Sequence, residues 1–110
     1  MSASEITPQQ LQQTMEEHPD DVLLLDCREQ QEYDLVHIEG CRLIPMSELA
    51  ERVTELDPEK GRSIVVYCHH GVRSQRVAQW LQQQGFENVR SLSGGIDRWS
   101  LEVQPSLPRY

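Results

Sequence analysis

Two apolar runs too short to be helices constrain the fold more than anything else in the chain: Val22-Leu23-Leu24-Leu25, continued by Asp26-Cys27, and Ile64-Val65-Val66-Tyr67, preceded by Ser63 and followed by Cys68. Neither run alternates apolar with polar residues. The first reads as a strand buried on both faces, as in parallel strands covered by helices, and the second, rich in β-branched residues, is the clearest strand in the chain. The segments around them carry helical spacing. Thr7 and Pro8 fit the N-cap and first position of a helix with Leu11 and Met15 on one face, ended by Pro19. Ser47 is predicted to cap a helix bearing Leu49, Val53 and Leu56 and terminated by Asp57-Pro58. A helix over residues 74–84 would turn Val77, Ala78 and Leu81 inward and Gln82, Gln83 and Gln84 outward, with Gly85 as its left-handed cap. Shorter elements complete the pattern: a helix over 29–35, a strand over 41–44 closed by Pro45, a strand over 88–92, a Gly94-Gly95 turn and a helix over 96–101. Strands alternating with helices at this spacing imply an α/β domain with a central, mostly parallel sheet flanked by helices.

At 110 residues the chain has the length of one domain, with a core expected over about residues 5–101 and a C-terminal tail over 102–110. No apolar run approaches the roughly 18 residues of a membrane span, and Met1-Ser2-Ala3-Ser4-Glu5 lacks the basic and apolar regions of a signal peptide. A soluble, cytoplasmic monomer is expected, without membrane association. The net charge of -8 argues against nucleic acid as a ligand. That charge is unevenly placed: residues 1–60 hold fifteen of the eighteen acids and four of the ten bases, whereas residues 61–110 hold three acids and six bases. The second half is thus suited to a small anion. Three cysteines without a Cys-x-x-Cys pair indicate neither a disulfide framework nor a structural zinc site.

In open parallel sheets, ligands sit beyond the carboxyl ends of the strands. Cys68 stands there, between the clearest strand and the clearest helix, in Cys68-His69-His70-Gly71-Val72-Arg73-Ser74. A tight loop entering a helix turns backbone N–H groups toward one point, and the helix N-terminus adds positive potential. With the permanent charge of Arg73, these groups favour a thiolate and predict a lowered pKa for Cys68. The competing reading is a small buried hydrophobe at a strand end. Loop, glycine, arginine and helix start together favour the nucleophile.

The same residues carry a resemblance. Cys68-x-x-Gly71-x-Arg73-Ser74 resembles the active-site loop of rhodanese-type sulfurtransferases. Leu25-Asp26-Cys27-Arg28-Glu29, Glu32-Tyr33, His37-Ile38-Glu39-Gly40, Ile44-Pro45 and Gly94-Gly95-Ile96 with Trp99 resemble further blocks of that family, in order and at its spacing. Val36 stands where the family usually has Gly, Cys27 where Val is common and Cys41 where Ala is common; these departures suggest altered packing more than altered chemistry. The resemblance implies a three-layer rhodanese-like domain in which Cys68 takes sulfane sulfur from thiosulfate or a similar small anionic donor. Backbone amides of His69, His70, Gly71, Val72, Arg73 and Ser74 would surround that sulfur. The resulting persulfide would pass to a thiophilic acceptor, cyanide or a cellular thiol. Arg73 would attract the donor, and Asp26 and Arg28 would support the loop, unless they form only a surface ion pair. No cofactor is implied.

His69 and His70 are expected to line the pocket without acting as a base. Three consecutive ligands at 68–70 do not converge easily on one ion, so no metal site is expected. Cys27 and Cys41 are read as packing residues. Phosphatases of the same fold have Cys-x5-Arg loops, whereas Cys68 and Arg73 are separated by four residues, which favours a single sulfur over a phosphate. A persulfide carrier docking on a sulfur-relay protein is the other reading. The stretch from Trp99 through Pro105-Ser106-Leu107-Pro108-Arg109-Tyr110 resembles the end of rhodanese domains fused to activating enzymes of sulfur-carrier pathways. A strap over the domain surface explains that tail equally well. A catalytically silent binding domain is disfavoured by the intact Cys68.

Overall fold

A computed structural model describes residues 3–110, so Met1 and Ser2, with which the reading of the N-terminus began, lie outside the described residues. Five strands, β1 (Ser4–Ile6), β2 (Val22–Asp26), β3 (Arg42–Leu43), β4 (Ser63–Tyr67) and β5 (Val89–Leu92), form one sheet in the order β1-β5-β4-β2-β3. Every pairing is parallel. The central strands are β4 and β2, the two runs without alternation. All five residues of β2 are buried, and Ile64, Val65, Val66 and Tyr67 are fully so.

Five α-helices accompany them: α1 (Pro8–Glu17), α2 (Gln30–Leu35), α3 (Leu49–Arg52), α4 (Val72–Gln83) and α5 (Gly95–Glu102). On one face of the sheet, Leu23, Leu25, Ile64 and Val66 pack with Leu49, Val77, Ala78 and Leu81 of α3 and α4. On the other, Leu24, Val65 and Tyr67 pack with Leu11, Ile96 and Trp99 of α1 and α5. Two covered faces explain why the central strands can be apolar throughout. Thr7 caps α1 as predicted, accepting from Gln10 N at 3.1 Å while the Gln10 side chain accepts from Thr7 N. Among the described residues, no helix is long and apolar enough to cross a membrane.

The structure departs from the sequence reading in three places. The edge strand β1 was not predicted; its Ser-Glu-Ile sequence has no strand pattern, and pairing with β5 creates it. The helix predicted from Ser47 is instead a 3₁₀ turn at Met46–Glu48, the four-residue α3 and a 3₁₀ segment at Val53–Glu59 that runs through Pro58. Ser47 does not cap it, because its hydroxyl donates to Glu29 Oε1 at 2.7 Å. Pro58 lacks the N–H an α-helix would need. Leu49 and Leu56 are nonetheless buried as that spacing required. Finally, α4 begins at Val72, two residues before Ser74, with Gly71 as N-cap at a φ of 101°.

Candidate active site

β4 ends at Tyr67, α4 begins at Val72, and the intervening loop curls around the sulfur of Cys68. Gly71 N donates to Cys68 Sγ at 3.1 Å and Ser74 N donates at 3.3 Å. Ser74 Oγ lies 3.5 Å from the same sulfur and 2.7 Å from Ser91 Oγ on β5. Cys68 therefore sits at the N-terminus of a twelve-residue helix, with two amides and a hydroxyl aimed at it. The left-handed Gly71 makes the curl possible. A second glycine locks it from above: α5 approaches closely enough for Ile96 N and Asp97 N to donate to the Cys68 and His69 carbonyls at 2.9 and 3.1 Å. A Cβ at Gly95 would collide with those same carbonyl oxygens. The Gly94-Gly95 turn is thus a clamp on the loop.

Cys27 adds a contact that sequence reasoning missed. It follows β2 as Cys68 follows β4; its thiol donates to Tyr67 O at 3.5 Å and lies in the same buried cluster as Cys68. The neighbouring Cys27 thiol, then the Ser74 hydroxyl and the amides of Ser74 and Gly71, hold the Cys68 pKa far below that of an ordinary thiol, against the opposing effect of burial. Cys27 shifts upward, through the Cys68 sulfur beside it and through burial, and stays a thiol. Within the pair, Cys68 is the sulfur that ionises.

Arg73 occupies a different position from the one expected. Its guanidinium forks onto Glu32, Nη1 to Oε1 at 2.7 Å and Nη2 to Oε2 at 2.8 Å, so its charge is matched and not free in the pocket. Glu32 also accepts from Glu29 N and from the Tyr110 hydroxyl, at 3.2 and 2.7 Å. Arg73 first, with Tyr110 and the Glu29 amide assisting, pulls the Glu32 pKa down to about 2 against burial. Asp26 and Arg28 are no surface pair: both side chains are fully buried, with Arg28 Nη2 2.7 Å from Asp26 Oδ2. Arg28 also donates to the carbonyls of Val36 and Glu32 and to the Tyr110 hydroxyl, at 2.7, 3.3 and 2.9 Å. These bonds brace the segment that positions Glu32, and none of them goes to the loop of Cys68. The support expected of this pair is therefore indirect.

His69 is stacked between His70 and Tyr110, each with ring centroids 3.9 Å away. His70 is exposed and its Nδ1 lies 3.8 Å from Asp97. Val72, also expected at the pocket, is 65% exposed at the start of α4. The tail is a strap that ends at the site: Ser100 Oγ donates to Leu107 O at 2.8 Å, Arg109 pairs with Asp97 at 2.8 Å, and Tyr110 reaches His69, Arg28 and Glu32. A cavity of about 440 Å³ opens beside the loop, lined by Glu5, His70, Gly71, Arg76, Ser91 and Ser93 among others. Cys41 lies on the opposite face, accepting from the Tyr67 hydroxyl at 3.3 Å. Glu32, Ser91, Asp97 and Tyr110 were not singled out from the sequence as site residues.

Comparison with known proteins identifies the family. The rhodanese-like domain profile matches residues 7–102. The chain belongs to the rhodanese-like domain family. A thiosulfate sulfurtransferase, GlpE, from Coxiella burnetii is 42% identical over 79 residues, covering 72% of each protein. A protein described as a probable adenylyltransferase/sulfurtransferase, MoeZ, from Mycobacterium tuberculosis is 35% identical over 107 residues, 97% of this chain. Such relatives can be far longer: the chain spans 27% of MoeZ and 31% of a relative from Arabidopsis thaliana. The crystal structure of a rhodanese-related protein from Thermoplasma volcanium superimposes with a TM-score of 0.82 at 29% identity, covering 97% of this chain and 99% of that one. This rhodanese-like domain has a wholly parallel sheet and its cysteine loop at the head of α4.

Proposed function

We propose that this rhodanese-like domain moves sulfane sulfur from thiosulfate, or a similar small anion, to a thiophilic acceptor through a persulfide on Cys68. The observation that carries this reading is the sulfur of Cys68 held by the Gly71 and Ser74 amides at the start of α4. In the first step the thiolate attacks the outer sulfur of thiosulfate, the S–S bond breaks, and sulfite leaves with the electron pair. In the second, cyanide or a thiolate attacks the terminal sulfur of the persulfide, and Cys68 departs as the thiolate again. The loop amides balance negative charge on sulfur throughout. The cavity beside the loop borders Gly71 and Ser91, and its lining does not include the buried Cys68. Phosphoryl transfer is less well supported, because Arg73 is turned onto Glu32 instead of over the loop.

Transfer from thiosulfate to cyanide, a dithiol and glutathione tests the reading. Thiocyanate formation is expected with the first acceptor and sulfide release with the thiols. Turnover of an aryl phosphate without any sulfur transfer would overturn it. The likeness to MoeZ across 97% of the chain, tail included, favours a second reading, a domain that hands its sulfur to a protein partner. In that case the adduct forms with thiosulfate but cyanide discharges it slowly.

The Arg73–Glu32 pair makes a prediction opposite in sign for its two members. Arg73→Ala leaves the Glu32 carboxylate unmatched near the loop, so the KM for thiosulfate is expected to rise about three- to tenfold. Glu32→Gln frees the cation and is expected to lower that KM. Steady-state kinetics at low and high salt would check both, the differences shrinking with ionic strength.

A further inference from the structure

Cys27 and Cys68 occupy equivalent positions at the ends of neighbouring parallel strands. The register pairs Asp26 with Tyr67 and thereby sets the next residues, the two cysteines, side by side. Cys27 N donates to Tyr67 O at 3.1 Å, continuing the ladder one step beyond the strands. Both side chains enter the same apolar cluster, with Cys27 fully buried and Cys68 1% exposed. Adjacent strands lie about 4.8 Å apart, inside the roughly 4.4–6.8 Å Cα window of a disulfide. Cys41 cannot compete, because it faces the other side of the sheet.

We propose that Cys27 is a resolving thiol, which captures Cys68 as an intramolecular disulfide when a hydroperoxide oxidises it. The Cys68 thiolate attacks the terminal oxygen of the peroxide, the O–O bond breaks, and an alkoxide or hydroxide leaves and takes a proton from solvent, with Cys68 now a sulfenic acid. The Cys27 sulfur then attacks the Cys68 sulfur, the S–O bond breaks, and the oxygen leaves as water with the Cys27 proton. Two thiols are oxidised by two electrons and the peroxide is reduced by two. The asymmetry of the pair sets the order of events: Cys68, held as a thiolate by its loop, reacts first, while Cys27 stays protonated until the sulfenic acid forms beside it. The disulfide withdraws Cys68 from further oxidation, and an external dithiol restores it. This inference rests on Cys68 being the reactive thiol of the proposed function, and is independent of which donor or acceptor that thiol serves.

The test treats one sample of the reduced protein with iodoacetamide and a second, unalkylated sample with hydrogen peroxide, each followed by peptide mapping without reductant. Preferential alkylation at Cys68 in the first sample, and in the second the loss of two hydrogens and a linked Cys27–Cys68 peptide with Cys41 still alkylatable afterwards, is the expected result. In Cys27→Ser the same peroxide dose should add two or three oxygens to Cys68, and dithiothreitol should then restore less than about a tenth of the sulfur transfer that reduced wild type regains. Cys27→Ala serves equally if the serine variant folds poorly, and the wild-type map needs neither. Sulfinic acid at Cys68 with Cys27 left free, or a bridge to Cys41, would overturn the resolving role alone. Failure of iodoacetamide to select Cys68 would overturn both this role and the nucleophile assignment.

Discussion

Thiosulfate is expected to leave one extra sulfur, about 32 Da, on the intact wild-type protein and none on Cys68→Ser. Turnover should fall on the order of a thousandfold or more in that variant, because no other group occupies the loop. Serine fits the same space, and its hydroxyl can still accept from the Gly71 and Ser74 amides, so the fold should be retained. What is lost is a polarisable nucleophile that ionises. Cys41→Ser, on the far side of the sheet, should keep the adduct. The pH dependence follows from the same contacts. An acid whose folded pKa is depressed is ionised above that lowered value, so the rate of adduct formation should stay level from about pH 8 to about pH 6, where an ordinary thiol with a pKa near 8.5 would slow by nearly a hundredfold. Intact-mass kinetics would decide the matter. An adduct surviving Cys68→Ser, or a rate falling tenfold per unit across that range, would reject Cys68 as the thiolate nucleophile.

Which parts of this arrangement could be read from sequence depends on chain distance. The strand, loop and helix around Cys68 are contiguous, and the β-branched run followed by glycine and a helix start located them directly. The groups that tune the loop come from elsewhere. Ser91 arrives from β5 and Cys27 from the end of β2, the two neighbours of β4, and neither adjacency is visible until the strand order is known. Cys27 was read as packing, and it does pack; its contact with Cys68 appears only once the register is fixed. Glu32 serves first as the local capping partner of Glu29, which is legible, and only tertiary structure brings Arg73 to it. Tyr110 closes over the site through Ser100, Leu107 and Arg109, bonds that no periodicity signals. The 3₁₀ segments at residues 46–59 illustrate the converse. Their apolar spacing reported burial correctly, while the hydrogen-bond pattern was decided by Glu29 taking the Ser47 hydroxyl and by Pro58.

The second large effect concerns stability. Asp26→Asn is expected to cost about 3–5 kcal/mol, since it removes one partner of an ion pair with no solvent exposure on either side chain. The carboxylate now receives Arg28 Nε at 3.0 Å and Nη2 at 2.7 Å, together with the Arg28 backbone N at 2.9 Å. An asparagine of the same shape offers one oxygen and turns an NH₂ toward the guanidinium, leaving a charge in the interior without its counterion. Against a total of roughly 5–15 kcal/mol for an ordinary domain, that loss is a large fraction. The urea midpoint should drop by roughly 2 M, read from equilibrium unfolding with unchanged slope. Arg52→Ala offers a contrast: its bonds to Glu48 and Glu55 lie at the surface, and the midpoint should stay close to that of the wild type. Adding Arg28→Met to Asp26→Asn should recover part of the loss, because the uncompensated charge leaves with the arginine. Recovery should be incomplete, since Val36 O, Glu32 O and the Tyr110 hydroxyl lose their shared donor. A single-variant loss below about 1 kcal/mol would mean that the pair contributes no more than a surface bridge. Equal losses in the single and double variants would instead assign the cost to the missing hydrogen bonds, and not to the stranded charge.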